Sequence, residues 1–175
     1  MAKKKSKKVT TVHAHPMRVP VSKKNPTGIT IRDQHERRLK GTYLDAVEIE
    51  EIEKNYDRKK IIYPAKKKLP YTDSDRYDDL IAIWTDYFNQ KFQMNPALDP
   101  DVVKALIGSE SSFQENPQGS KIAIGITQIT KDTLKIIQDP KGEVKDFIFQ
   151  DIRQKDLKDP NIAIPMGVRW LCHKQ

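Results

Sequence analysis

Glu110 is the residue whose type and setting point most directly to chemistry. It lies in the run Ala105-Leu106-Ile107-Gly108-Ser109-Glu110-Ser111-Ser112-Phe113. Three, four and seven positions before it stand Ile107, Leu106 and Val103, the spacing of one helix face. The pattern predicts a carboxylate on an apolar stripe. A carboxylate facing a core is costly when ionised, so it keeps its proton to higher pH. A carboxylic acid of that kind can donate a proton near neutrality. The plainer alternative is a boundary glutamate that snorkels to water near a helix end.

The helix that carries Glu110 is predicted to begin at Asp99-Pro100. Asp99 can cap it, and Pro100 suits the first position, where its missing N–H is not needed. It should end near Phe113, because Asn116-Pro117-Gln118-Gly119-Ser120 is turn chemistry. Before it, Tyr77, Leu80, Ile81, Trp84, Tyr87 and Phe88 recur at helical spacing opposite Asp78, Asp79, Asp86 and Gln90, which predicts an amphipathic helix over 73–93. After it, Ile122–Ile129 is apolar, β-branched and interrupted by Gly125; it reads either as a short extended segment or as a buried helical turn. Thr130 caps a further predicted helix. Residues 139–158 are polar and ambiguous. Asp159-Pro160 opens a last helix with Ile164, Val168 and Leu171 on its buried face.

The 175 residues suffice for one ordinary domain plus a tail, or two very small domains. With 32% charged and 37% hydrophobic residues, a single modest core is expected. The net charge of +8 is unevenly spread. Residues 1–70 hold 19 Lys+Arg against 8 Asp+Glu, a net +11; residues 71–175 hold 13 against 16, a net −3. We expect a flexible basic tail over 1–12, an extended or irregular N-terminal extension over 13–70 with a short acidic helix near Leu44–Ile52 and a lysine-rich linker ending at Pro70, and the main domain over 71–175. Cys172 is the only cysteine, so no intrachain disulfide forms, and it reads as a small buried apolar residue. His13 and His15 lack further ligands nearby, so no metal is expected, and nothing calls for a cofactor. No apolar run approaches the ~18 residues of a membrane span. The basic start is not followed by the hydrophobic stretch of a signal peptide, so the expectation is synthesis in the bacterial cytoplasm and transport by another system.

Three segments in order resemble the motifs of the soluble-type lytic transglycosylases, relatives of the goose-type lysozymes, over about residues 75–175. Leu106–Phe113 is similar to their Glu-Ser motif. Ala123-Ile124-Gly125-Ile126-Thr127-Gln128-Ile129 resembles their Gly-Leu-Met-Gln motif, with Ile126 and Thr127 in place of Leu and Met. Asp156–Ile164 with Gly167 and Leu171 resembles their Leu-x-Asp-Pro-x-x-Asn-Ile helix entry.

The resemblance implies a mainly α, lysozyme-like domain preceded by a basic, largely irregular N-terminal region. It implies cleavage of the MurNAc–GlcNAc β-1,4 bond of peptidoglycan by one glutamate, matched by Glu110, with the sugar's own 6-hydroxyl as nucleophile and a 1,6-anhydro end as product. It places Ser111, Gly125, Ile126, Thr127 and Gln128 at the saccharide cleft. The residues themselves leave alternatives. Gln128 either bonds sugar hydroxyls or satisfies a loop. Ser111 orients the carboxylate or bonds within its helix. Gly125 serves the backbone through close approach or positive φ. Glu115 is a solvated loop charge or a second carboxylate that would favour hydrolysis by water. Tyr77, Trp84 and Phe88 are core or sugar-stacking rings. The family's Ala-Tyr-Asn motif, whose tyrosine touches the glutamate and substrate, has no counterpart before Gln175, so the expected domain is incomplete at its C-terminal side. The expected role is a secreted antibacterial effector (type VI secretion) or phage-associated wall-degrading enzyme, with peptidoglycan strands and a secretion-apparatus component or immunity protein as partners. The alternatives are a catalytically incomplete peptidoglycan-binding or structural module and a water-using muramidase. The basic runs Lys3–Lys8 and Lys66–Lys68 are expected to attract polyanions without specific nucleic-acid recognition.

Overall fold

The computed structural model describes residues 9–12, 15–18, 25–27, 29–32, 35–38, 43–66, 69–117 and 122–175. The Lys3–Lys8 run, His13, Lys67, Lys68 and the Gln118-Gly119-Ser120 part of the expected turn lie outside them. The chain divides into two compact units, residues 1–41 and 42–175.

The described residues of the first unit hold four strands: β1 (Val9–Val12), β2 (His15–Arg18), β3 (Ile29–Arg32) and β4 (His35–Arg38). β1 pairs antiparallel with β4, and β2 with β3. Val12 is the Cα partner of His35, and His15 that of Arg32. Four-residue strands thus occur within the basic N-terminal region, residues 9–12 among them, while residues 1–8 of the expected tail lie outside the described residues. The cause is local. β-branched Val9-Thr10-Thr11-Val12 and Ile29-Thr30-Ile31 favour extended backbone on either side of a turn at Pro26 and Thr27. The Asn25 side chain donates to the Ile29 carbonyl at 3.0 Å across that turn.

The second unit is mainly helical. Its elements are β5 (Tyr43–Leu44), α1 (Ala46–Asn55), α2 (Asp78–Phe92), α3 (Pro100–Ser111), β6 (Ala123–Ile124), β7 (Ile129–Thr130), α4 (Lys131–Gln138), β8 (Ile148–Phe149), a 3-10 turn (Gln154–Lys158) and α5 (Pro160–Lys174). Residues 42–70 belong to this same compact unit. β5 pairs in parallel with β8, Tyr43 opposite Ile148 and Leu44 opposite Phe149, and Ile49 of α1 is fully buried. These contacts join residues more than a hundred positions apart, so nothing local announces them. No helix among the described residues is long and apolar enough to cross a membrane.

The middle of α2 is buried all round. Ile81, Ala82, Ile83, Trp84 and Thr85 are consecutive buried residues, because α2 packs on both α3 and α5. The single apolar face expected from its sequence is therefore too narrow a description. Trp84 and Phe88 are core residues with no exposed surface. The Trp84 indole N–H donates to Glu53 of α1 at 2.8 Å. Burial raises the Glu53 carboxyl above its ordinary value of 4.5, outweighing the Trp84 hydrogen bond. A carboxyl raised on folding favours the fold below the unfolded value and loses that contribution as pH rises through the folded one. Glu53→Gln keeps an acceptor for Trp84 and carries no charge. It is expected to match or exceed the wild type at pH 7 in urea unfolding, with the difference closing on acidification to about pH 4. Glu53→Ala leaves the indole N–H unpaired and should lose about 1–3 kcal/mol.

A second buried charge ties α2 to α3. Lys104 is 3% exposed. Its ammonium lies 2.8 Å from Asp78 Oδ1 and also donates to Asp75. Burial opposes the Lys104 charge, but the two carboxylates outweigh it and hold the ammonium protonated beyond its ordinary value. Lys104→Met removes the counter-charge and leaves Asp78 partly buried, so unfolding free energy should fall by about 3 kcal/mol. An unchanged urea midpoint would show that the cluster is a solvated surface pair.

Candidate active site

The end of α3 is built by capping and packing. Asp99 accepts from the Asp101 N–H at 2.8 Å and Pro100 fills the first position, as the sequence predicts. Val103, Lys104, Ile107, Gly108 and Ser111 form the buried face. Glu110 is exposed. At ~100° per residue it stands roughly 90° from the centre of that face, on its flank. It also lies in the last turn, where the helix emerges from its neighbours. The expectation of a carboxylate lodged on the buried stripe is thus corrected: the i−3, i−4 and i−7 spacing is real, but Lys104, Gly108 and Ser111 pull the covered face round. Among the described residues, no side chain pairs with Glu110.

The residues after Glu110 are held tightly. Ser111 is buried and its hydroxyl donates to the Ile107 carbonyl at 3.1 Å, within its own helix. Ser112 (φ 52°) and Phe113 (φ 63°) are both left-handed. Two consecutive non-glycine residues in that region are strained, and the bulky Phe113 the more so. Phe113 is secured by burial and by the Tyr71 ring, with centroids 5.8 Å apart. Glu115 Oε1 accepts from the Tyr77 hydroxyl at 2.9 Å and lies 3.4 Å from Arg76. Tyr77 is buried, and its phenol is pushed up to about 12, first by burial and then by Glu115. Tyr77 is therefore a core residue with a polar tip, not a stacking ring. No short-range pattern announces this partnership, which spans 38 positions.

The second motif forms a hairpin. β6 and β7 pair antiparallel, Ile124 opposite Ile129, around a turn over 125–128. The segment is thus part extended, at 123–124 and 129, and part a mostly buried turn, at 125–128. Gly125 has φ +77°, and a Cβ there would stand 1.9 Å from the Leu157 carbonyl oxygen. Ile126 is fully buried, and the buried Thr127 hydroxyl donates to the Ala163 carbonyl at 2.9 Å. A Cβ on Gly167 would meet Thr127 Cγ2 at 2.7 Å. Two glycines thus let the hairpin lie directly on the 3-10 turn and the start of α5. The side chains of Ile126 and Thr127 face the core and α5, which corrects their placement in a cleft. Gly125 serves the backbone. Gln128 is left-handed (φ 48°) and half-buried. Its Nε2 donates to the Gly125 carbonyl at 2.8 Å, while its Oε1 has no partner among the described residues.

The second and third motifs meet, Gly125 against Leu157 and Thr127 against Ala163 and Gly167. An open polar cleft of about 450 Å³ between the starts of α2 and α5 is lined by Arg76, Tyr77, Glu115, Lys158, Asp159 and Asn161. Glu110 is not part of its wall. Asp159 is committed to capping α5, accepting from the Asn161 N–H at 2.9 Å. Among the described residues no group of three or more His, Cys, Asp or Glu side chains is arranged to hold a metal. Cys172 is buried, and burial raises its thiol to about 11, which leaves it inert at neutral pH.

A family model described as the transglycosylase SLT domain matches residues 86–175, which is 90 of the 175 residues. Neither a search of curated proteins nor one of solved structures returned a match.

Proposed function

The chain belongs to the transglycosylase SLT domain family, whose chemistry is peptidoglycan cleavage, and from that premise we propose that Glu110 is the single acid and base of a lytic transglycosylase. The protonated carboxyl gives its proton to the bridging oxygen between MurNAc C1 and GlcNAc as the C1–O bond breaks. The resulting carboxylate takes the proton of the MurNAc 6-hydroxyl as O6 bonds to C1. The product carries a 1,6-anhydro ring, the leaving chain carries a free hydroxyl, and Glu110 is protonated again. No water is consumed. The scheme differs from two-carboxylate glycosidases, which need a second acid as nucleophile or water activator.

The observation that carries the reading is an exposed Glu110, unpaired among the described residues, on a helix end that is otherwise tied down. Its neighbours cannot swing: Ser111 is bonded to Ile107, and Phe113 is buried. Such anchoring is what a positioned acid requires. Because α3 leaves the carboxylate exposed, a bound glycan can reach it directly. Glu115 is a poor candidate for a water-activating base, since it is already bonded to Tyr77 and Arg76. Gln128 Oε1 is available to accept from a sugar hydroxyl while its NH2 group stays bound to the turn.

Mass spectrometry of peptidoglycan digested by the protein tests the reaction class. The expected products are muropeptides lighter by one water than those of hydrolysis. Reducing ends alone would replace this reading with a muramidase using water. Binding to insoluble peptidoglycan with no released fragment would leave a binding module.

A further inference from the structure

The first unit has a composition unlike the second. Residues 1–41 hold 12 Lys+Arg against 2 Asp+Glu, a net +10, whereas residues 42–175 hold 20 against 22, a net −2. In this unit β2 and β3 set Pro16 opposite Ile31 and Arg18 opposite Ile29. Alternation along β3 puts Ile29 and Ile31 on one face. Both are left to solvent, Ile29 at 55% and Ile31 at 70% exposure. A two-stranded hairpin by itself is marginal in water, and a surface that covers one face stabilises it.

The charge alone suits any polyanion, and the isoleucines narrow the choice. A nucleic acid would be gripped through phosphates and stacked bases, but residues 1–41 contain no Phe, Trp or Tyr to stack on. A phosphate polymer offers nothing apolar to Ile29 and Ile31. An anionic bilayer offers both: phosphate charge at its surface, and an acyl boundary just beneath for branched aliphatic side chains. We propose that the N-terminal unit, with its paired strands β2 and β3, binds the surface of anionic phospholipid bilayers. This assignment is independent of the role of Glu110. Each Lys or Arg near such a surface strengthens binding roughly fivefold, so a fraction of the twelve suffices.

Co-sedimentation of the full chain with vesicles tests this. Vesicles containing phosphatidylglycerol should retain the protein, and vesicles of phosphatidylcholine alone should not. Raising NaCl from about 0.1 M to about 1 M shortens the screening length from ~10 Å to ~3 Å and should reduce retention at least tenfold. The double substitution Ile29→Ser with Ile31→Ser should weaken binding to the anionic vesicles by about tenfold or more. Ile31→Trp should tighten it, because indole favours the bilayer interface. Equal retention on both vesicle types would overturn the proposal. So would anionic binding untouched by either isoleucine variant. Binding to duplex DNA of equal strength, indifferent to the serine substitutions, would assign the unit to nucleic acid instead.

Discussion

Glu110→Gln is expected to abolish glycan cleavage, with turnover falling by about 10³-fold or more. Positioned proton transfer is worth roughly 10² to 10⁴ in rate, and in this scheme one group performs both the donation and the abstraction. The amide has nearly the same shape and can still hydrogen-bond, but it cannot release or take a proton. Because Glu110 is exposed and unpaired among the described residues, the substitution should leave stability within about 0.5 kcal/mol. Zymography and turbidity clearing of purified peptidoglycan give the activity; urea unfolding confirms the fold. Pull-down on insoluble peptidoglycan should show that the variant still binds. Clearing within tenfold of wild type would remove Glu110 from the mechanism. Glu115→Gln is the matched control. Its amide oxygen can still accept from Tyr77, so turnover should fall less than tenfold.

Gly125→Ala is expected to be the most damaging alanine substitution among the described glycines, lowering unfolding free energy by at least about 3 kcal/mol. Two effects combine. An alanine held at φ +77° costs roughly 1 to 2 kcal/mol. The new methyl would also stand 1.9 Å from the Leu157 carbonyl oxygen, and that atom is backbone. It cannot rotate away, so the hairpin and the 3-10 turn must separate. Against a typical stability of about 5 to 15 kcal/mol, this is a large fraction. Gly167→Ala should lose less, about 1 to 2 kcal/mol, since its methyl meets the Thr127 side chain. Adding Thr127→Ser removes the nearest atom, Cγ2, and keeps the hydroxyl for Ala163. That pair should recover part of the loss. Circular dichroism with urea titration ranks the three. A Gly125→Ala protein as stable as wild type would mean that the hairpin is not seated on Leu157.

The glycine results bear on the site itself. The hairpin carrying Gln128 is positioned by contacts with α5, and the helix carrying Glu110 by contacts with α2. Damage at Gly125 should therefore lower activity together with stability, whereas Glu110→Gln separates the two.

Local chemistry was legible from the chain. Asp99-Pro100 and Asp159-Pro160 start α3 and α5, and Thr130 caps α4, each by the predicted device. Caps act over two or three residues, so their signal is contained in the sequence window that makes them. The β-branched runs of the N-terminal unit carried a similar signal. It marks extended backbone at Ile29–Ile31 but not the pairing, because a strand's partner is chosen by residues well away along the chain.

What the sequence could not supply depends on what covers each element. Periodicity told that Glu110 shares a flank with Val103 and Ile107, but burial needs a neighbour, and the neighbours of α3 come from Asp75, Asp78 and Tyr71. They cover Lys104 and Gly108, and leave Glu110 in water. The same holds for α2, buried all round by α3 and α5, and for Tyr43 and Leu44, docked on β8. Residue types and their order along 106–164 determined the family and the candidate acid. Only the tertiary structure decided that this acid stands exposed on an anchored helix end, that Ile126 and Thr127 pack inward, and that Glu115 belongs to Tyr77. Those outcomes are set by contacts between segments tens of residues apart, where no short-range propensity reaches.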